Sequence, residues 1–204
     1  MPIIVTDVIQ GSDAWHKLRL GKPSASKFGM ILTGTGKRST SYKDYADQLC
    51  ADWLANQPTE TYKSADMERG NELEESARLA YEFQTGLTTE QVGFVYLDVK
   101  ENVGCSPDAL VGDDGLLEIK NRKAKNLVKE YDKGCPTKVI PQIQGQMWVC
   151  DRQWCDYYSS HPMLMPYLVR VERDEKYIKL LAEAVSEFSD YLIKRKKALK
   201  QWKV

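Results

Sequence analysis

The stretch that decides the fold is Ser106–Lys120, which reads SPDALVGDDGLLEIK. Two short apolar runs flank the letters GDDG, and glycine with aspartate is typical of a tight turn, so the stretch predicts a β-hairpin. Side chains alternate between the two faces of a strand. Glu118 and Lys120 therefore share one face of the second strand, whereas Leu117 and Ile119 share the opposite face.

The segments on either side of the hairpin predict an α/β protein. Residues 91–121 contain short runs of Val, Phe, Tyr, Leu and Ile, which predict three strands joined by turns. Elsewhere apolar residues recur at helical spacing. Helices are predicted at residues 13–20, 24–34, 42–57 and 66–84, from 141 and from 174, and further strands at 154–159 and 167–171. This order predicts a central mixed β-sheet flanked by α-helices.

The composition is that of a globular protein. The chain has 204 residues, 42% hydrophobic and 28% charged, with 29 basic and 29 acidic residues. These values exclude a disordered or collagen-like chain, and no apolar run approaches the roughly 18 residues that cross a bilayer. The N-terminus lacks the pattern of a secretion signal, and five cysteines without a C-x-x-C pair argue against a disulfide framework or zinc ribbon. We therefore expect a cytoplasmic protein in which a local basic patch holds any nucleic acid.

The hairpin also carries the residues most suited to catalysis. If Asp108 begins the first strand, its carboxylate approaches Glu118, and two close carboxylates repel each other unless a cation lies between them. A hard divalent ion such as Mg²⁺ suits such an oxygen-only site. Lys120 then orients a water or stabilises charge on a phosphoryl oxygen, as in metal-assisted phosphodiester hydrolysis. The alternative for the same residues is a polar strand edge with a solvated ion pair.

Two helices add polar side chains to this hypothesis. On the helix at 66–84, Glu74 falls within the apolar arc, where a carboxylate is unfavourable unless it is paired or binds metal. Glu74 is therefore a candidate third acid, and a salt bridge to Arg78 one turn away is the alternative. Gln142 and Gln146 lie one turn apart on the next helix, where their amides hold a water or the DNA backbone, or simply form a polar face.

Three further residues are donors of the kind that bind a phosphate group. Arg19 can hold two phosphate oxygens at once, and Ser26 and Ser106 carry hydroxyl donors. Considered one at a time, each is as readily explained as a helix cap or a surface residue.

Several runs of the sequence together resemble one family of nucleases. From about residue 10 to residue 190 the chain is similar to phage lambda exonuclease and its relatives, which belong to the restriction-endonuclease-like PD-(D/E)xK nucleases. The shared runs, in the order of that family, are GSDAWHKLRLG at 11–21, GNELE at 70–74, CSPDAL at 105–110, LEIK at 117–120, QIQ at 142–144, MWV at 147–149 and VERDEKY at 171–177.

The resemblance implies a fold and an activity. The expected fold is a single restriction-endonuclease-like nuclease domain over residues 1–204, with an N-terminal helical part (1–90), a sheet and catalytic core (91–172) and a C-terminal helix (173–204). The implied activity is that of a Mg²⁺-dependent processive 5′-to-3′ exonuclease that degrades one strand of duplex DNA and leaves 3′ single-stranded tails for recombination by strand annealing. Two Mg²⁺ ions are expected in each active site, and Mn²⁺ is expected to substitute for them.

The resemblance also implies residue roles. Asp108, Glu118 and the Ile119 carbonyl bind the metals, with Glu74 on the side of the second metal. Lys120 orients the attacking water, and Gln142 helps to position the reacting groups. The remaining roles are a 5′-phosphate pocket of Arg19, Ser26 and Ser106, an apolar wedge at Met67 that helps to split the terminal base pair, and one DNA-binding cation among Arg122, Lys123 and Lys125.

The same resemblance implies an assembly and a setting. Relatives form homotrimeric rings around DNA, which retain the duplex without a net positive charge, and phage relatives work with a single-strand annealing protein. The expected setting is a bacterial cell that carries a phage or prophage. Two alternatives stay open: an endonuclease or resection nuclease of the same fold, and a non-catalytic DNA-binding subunit that uses the basic run 194–203 and the loop around Lys37 and Arg38.

Overall fold

The computed structural model describes residues 1–59, 65–100 and 102–203, and for residues 65–72 it describes the backbone without the side chains. The helices of these residues are α1 (Asp13–Arg19), α2 (Tyr42–Ala55), α3 (Ala65–Thr85), α4 (Ala124–Lys133), α5 (Ile140–Cys150) and α6 (Glu175–Leu199), with short 3₁₀ turns at Ala25–Met30, Thr137–Val139 and Lys200–Trp202. The strands are β1 (Ile3–Val5), β2 (Thr89–Glu90), β3 (Phe94–Tyr96), β4 (Gly104–Cys105), β5 (Ala109–Val111), β6 (Gly115–Asn121), β7 (Trp154–His161) and β8 (Leu164–Glu172). None of the described helices is both long and apolar enough to span a membrane.

The strands form one large mixed sheet and one small sheet. The large sheet has the order β2-β5-β6-β7-β8, in which β6 and β7 are parallel and the other pairs are antiparallel. The small sheet has the order β1-β3-β4 and is antiparallel throughout. The mixed sheet with flanking helices confirms the predicted fold class.

The prediction of three strands in residues 91–121 is wrong in its details. The segment forms four strands that are divided between the two sheets. Strands β3 and β4 join the small sheet, where β3 also pairs with β1, whereas β5 and β6 belong to the large sheet. Strands of two or three residues are too short to show alternation, so the sequence does not reveal which sheet they join. The predicted helix at 24–34 is likewise shorter, and only Ala25–Met30 forms a 3₁₀ turn.

Strand β6 is buried on both faces, which fixes the direction of its side chains. Leu116 packs in a core with Ile143 of α5, whereas Leu117 and Ile119 pack with Tyr81 of α3 on the opposite face. Glu118 has the same parity as Leu116 and therefore points toward α5. The predicted division of the strand into two faces is confirmed.

A close approach of two segments brings the N-terminal part of the chain to α5. Gly145 lies against Phe28 of the first 3₁₀ turn, and a Cβ atom at Gly145 would be 2.4 Å from the Phe28 ring. Only glycine permits this packing, since Phe28 is fully buried and has no room to move. The contact places Ser24 and Ser26 beside the helix that carries Gln142.

Candidate active site

Two carboxylates face each other across the β5–β6 hairpin. Ala109 pairs with Leu117, so the same antiparallel register sets Asp108 opposite Glu118. Asp108 accepts a hydrogen bond from the Ile119 amide at 2.5 Å. The Glu118 side chain is fully buried, and Lys120 of the same strand donates to its Oε1 atom. The predicted acids and lysine therefore lie together at one site.

The helix α5 supplies two amide donors to the same buried carboxylate. Gln142 donates to Oε1 of Glu118 at 2.7 Å, and Gln146 donates to Oε2 at 2.7 Å. A buried carboxylate requires such donors because it has lost its hydration. The amides one turn apart thus contact the acid directly.

Burial and neighbouring charges shift the pKa values of Asp108 and Lys120. Burial, followed by repulsion from Glu118, raises the pKa of Asp108 well above its usual range. Burial alone lowers the pKa of Lys120, but the Glu118 and Asp108 carboxylates outweigh it and the net direction is upward. Lys120 is therefore a cation at neutral pH, and the site has more acid groups than one ammonium can neutralise.

Glu74 adds to this excess of negative charge from α3. Burial raises its pKa, and Glu118 raises it further. Arg78, the partner in the alternative interpretation, contacts Glu82 at 3.4 Å and Thr89 at 3.2 Å. The electrostatic coupling of Glu74 to Glu118 and Lys120 places it at the edge of the site.

The donor set fits a hard divalent cation. Mg²⁺ is commonly bound through one or two carboxylates and keeps several waters, so Asp108, Glu118 and a backbone oxygen suffice. Among the residues whose side chains the structure describes, no three acid, His or Cys side chains are gathered into a preformed metal cage. The Lys120 ammonium lies against Glu118 and shows that this position favours a positive charge.

A second cluster of donors surrounds Arg19. Its Nη2 atom lies 3.3 Å from Ser24 Oγ and 3.4 Å from Ser26 Oγ, and its guanidinium stacks on the Trp15 ring at 3.9 Å. The Trp15 indole donates to Ser106 Oγ at 2.8 Å. Trp15 thus joins Arg19 to Ser106, so the three residues of the predicted phosphate pocket line one cluster.

The two clusters are separated by a single residue of the chain. Ser106 belongs to the Arg19 cluster and Asp108 to the carboxylates, with Pro107 between them. The Gln10 amide donates to the carbonyls of Pro107 and Val92, each at 2.9 Å. Proline and these hydrogen bonds hold the connection between β4 and β5 in one conformation.

The site residues lie within a segment that matches a known family. The model of the YqaJ-like viral recombinase domain matches residues 14–153, which include every residue of both clusters except Gln10. The chain belongs to the YqaJ-like viral recombinase family. This membership confirms the resemblance that the sequence motifs indicated.

Solved structures agree with this assignment. The YqaJ-like chain is 32% identical to an alkaline exonuclease from Laribacter hongkongensis, with a TM-score of 0.85 over 93% of this chain and 97% of the other. The same enzyme in complex with dAMP gives a TM-score of 0.84 at 32% identity and the same coverage. A phage-related exonuclease from Haemophilus somnus shares the fold, with a TM-score of 0.65 at 17% identity over 85% of this chain and 96% of the other. No curated protein matches the chain.

Two further DNA contacts are predicted for the YqaJ-like chain, at Met67 and among Arg122, Lys123 and Lys125. The side chain of Met67, the predicted wedge, lies outside the described residues. Arg122 of β6 donates to Glu130 of α4 at 2.9 Å and to Tyr157 of β7 at 2.8 Å. Beside it lies a pocket of about 400 Å³ whose lining includes three lysines: Lys129, Lys133 and Lys138.

Sequence reasoning missed two residues of the YqaJ-like site and left the role of a third open. Trp15 and Ser24 had no assigned role, although Trp15 occurs in the shared run GSDAWHKLRLG. Gln146 was singled out only as a polar position one turn after Gln142. Trp15 and Arg19 are four residues apart on a predicted helix, where side chains at this spacing are neighbours, and this is the sequence feature that indicates the stacked guanidinium.

Proposed function

We propose that this protein is a Mg²⁺-dependent, processive 5′-to-3′ exonuclease that degrades one strand of duplex DNA and leaves 3′ tails for strand annealing. Deoxyribonuclease activity follows from the family and from the named exonucleases that share 32% identity or the fold. The single observation that supports the 5′-to-3′ direction is the Arg19 cluster. Its member Ser106 is separated from the Asp108 carboxylate by one residue of the chain, Pro107. A phosphate-binding group beside the cutting site is what recognition of a 5′-phosphate end requires.

The side chains divide the chemistry between them. Asp108, Glu118 and the Ile119 carbonyl would hold Mg²⁺, Glu74 would lie on the side of a second ion, and Mn²⁺ would substitute for both. Bound Mg²⁺ supplies Lewis-acid polarisation of the phosphate and lowers the pKa of a bound water. Lys120 orients the attacking water and stabilises the charge that develops on the phosphoryl oxygens. Gln142 is half-buried, donates to Glu118 and helps to position the reacting groups.

The proposal is tested with linear duplexes that carry a label on the 3′ end of one strand and either a 5′-phosphate or a 5′-hydroxyl on that strand. We expect Mg²⁺-dependent release of nucleotides from the phosphorylated end and a labelled strand that shortens from its 5′ side. Cutting of closed circular duplex would instead indicate an endonuclease, and binding without release would indicate a DNA-binding subunit. That last alternative relies on Arg38 and the C-terminal cations, whereas Arg38 pairs with Glu187 and Arg195 pairs with Asp47.

Arg19→Ala is expected to remove most of the preference for phosphorylated ends and to shorten processive runs. The guanidinium is the charged donor of its cluster and holds two phosphate oxygens at once, so its loss weakens end capture without removing the acids. Arg19→Lys should restore the preference only in part, because it supplies a charge without the fork. The measurement is the ratio of rates on the two ends together with the run length under an excess of competitor DNA.

The matched control for this experiment is Arg38→Ala. Arg38 is also a guanidinium beside an aromatic ring, 5.4 Å from the Tyr42 centroid, but it pairs with Glu187 away from the carboxylates. Its removal should leave the end preference unchanged. If Arg19→Ala keeps the full preference for 5′-phosphorylated ends and the wild-type run length, the 5′-phosphate pocket lies elsewhere. Lys125 would then be the first residue to test.

Processivity is explained by a ring of three chains around the DNA. A net charge of zero gives no general attraction to DNA, so a topological link retains the duplex instead. Two large apolar side chains one turn apart on α3, Leu79 and Phe83, are 53% and 94% exposed and suit burial against another copy. A molar mass of three chains in light scattering supports the ring, and a single-strand annealing protein is the partner proposed for the 3′ tail.

A further inference from the structure

Gln146 differs from the other groups that contact Glu118 in being part of the core. It is 1% exposed, whereas Gln142 is half-buried and the Lys120 side chain is 29% exposed. Lys120 and Gln142 both donate to Oε1 of Glu118, on the open side of the site. Within the described residues, Gln146 is the one donor to Oε2. The two oxygens of the same carboxylate therefore have different environments.

This difference has a consequence for the carboxylate orientation. Substrate and cations reach Oε1, and its contacts with Lys120 and Gln142 can rearrange when they arrive. Neither substrate nor solvent reaches Gln146, so its hydrogen bond to Oε2 persists through such rearrangements. A bond that persists is the one that sets the direction of the side chain.

Apart from its bond to Glu118, the Gln146 amide lacks a hydrogen bond at its oxygen. Its Oε1 atom is buried and has no hydrogen-bond partner among the described residues. A carboxylate only accepts hydrogen bonds, so the amide NH₂ group must face Glu118, and the amide oxygen then faces away from it. An unpartnered buried oxygen is unfavourable, and an apolar residue of the same size would avoid it. The amide is thus explained by Glu118 rather than by packing.

Gln144, two residues earlier in the same helix, is a buried glutamine with a structural role. It is 3% exposed, and both ends of its amide are satisfied. Its Nε2 atom donates to the Glu172 carbonyl at 2.8 Å, and its Oε1 atom accepts from the Asp174 amide at 2.9 Å. These bonds attach α5 to the start of α6, away from the carboxylates. Gln144 is therefore a control with matched burial and chemistry.

We infer that Gln146 is a positioning residue that fixes the orientation of the Glu118 carboxylate for binding of a divalent cation. The inference rests on the proposed function, because it takes Glu118 to be a metal ligand. Gln146 acts through Glu118 and contacts neither DNA nor the cation. Outer-shell partners of this kind typically change metal affinity by about 10–100-fold.

The test measures binding of Mn²⁺ alone to the full chain, by calorimetry and by the loss of the free Mn²⁺ resonance signal. Gln146→Met keeps the volume and removes the donor, and Gln146→Asn keeps the amide but is one methylene too short to reach Glu118. Both are expected to bind Mn²⁺ about 10–100-fold more weakly, with kcat at saturating metal changed by only a few-fold. Thermal unfolding in EDTA shows which variants are folded. If Gln146→Met does not fold, the Mn²⁺ affinity of Gln146→Asn provides the test.

Two comparisons make the result decisive. Gln144→Met should lower the melting temperature while Mn²⁺ affinity stays at the wild-type value, since its role is structural. Glu118→Ala should lose Mn²⁺ binding, and if it does not, the proposed metal centre itself is wrong. If Glu118→Ala loses the metal but a folded Gln146 variant binds it within twofold of wild type, the metal centre stands and the positioning role is overturned.

Discussion

Asp108→Asn is expected to abolish cleavage while duplex binding persists or tightens. The substitution removes one of two facing carboxylates, which is more severe than the roughly 10–100-fold effect of an outer-shell partner. The asparagine side chain can still accept a hydrogen bond from the Ile119 amide, so the hairpin keeps this local contact. Loss of a negative charge also reduces repulsion of the DNA phosphates. Single-turnover cleavage with Mg²⁺ and duplex binding in EDTA measure the two effects.

The same variant carries an internal control in its stability. The pKa of Asp108 is raised in the folded chain, by burial and then by Glu118, above the value near 3.9 of an unfolded aspartate. The folded protein therefore holds this proton more tightly than the unfolded chain, and stability falls as the pH rises from about 4 through the raised pKa. Asparagine lacks this loss, so Asp108→Asn should be more stable than wild type in EDTA at pH 8 and closer to it at pH 4. Substantial Mg²⁺-dependent cleavage, or lower stability at pH 8, would contradict the assignment of Asp108.

Lys120→Ala is expected to lower kcat by about 10²-fold or more, as removal of an oxyanion-hole donor does, and to change KM for DNA little. The raised pKa of Lys120 keeps the ammonium charged, so we expect it to contribute a fixed positive charge and to orient the attacking water rather than to abstract a proton. Such a group acts mainly on the transition state. Steady-state kinetics on phosphorylated duplex at saturating Mg²⁺ separate kcat from KM.

A lysine on the outside of the protein provides the comparison. Lys43 is exposed on α2, and Lys43→Ala should leave both constants unchanged. A rise in KM at constant kcat in Lys120→Ala would mean that Lys120 only contacts the DNA backbone. The kinetic role assigned to it would then be withdrawn, while the metal ligands would be unaffected.

The parts of the fold that the sequence predicts well are those with local patterns. The alternation of β6 gives the face shared by Glu118 and Lys120, and α6 begins at the predicted place, directly after Asp174. The two carboxylates follow from the same hairpin, because the turn brings Asp108 opposite Glu118. Local geometry is enough for these residues.

The parts that the sequence does not reveal depend on distant contacts. Strand β1 pairs with β3 across about ninety residues, and a three-residue strand has no periodicity of its own. Helix α4 has a single fully buried apolar side chain, Leu127, and its buried Glu130 is matched by Arg122 and Tyr157 of the large sheet, so the contacts that hold this acid lie outside the helix. Trp15 acquires its role only when α1 folds against Ser106. Each of these features is specified by tertiary packing rather than by the segment itself.

The connection Ser106-Pro107-Asp108 fixes the distance between the Arg19 cluster and the carboxylates at their point of contact in the chain. Two residues of extended chain span at most about 7 Å, and Gln10 fixes the middle of that span. In the proposed mechanism, the backbone therefore holds Ser106 of the 5′-phosphate pocket at a constant distance from Asp108 of the cutting site. In that mechanism the size of the released product is set by the covalent backbone, and each cycle is expected to advance the DNA by the same step.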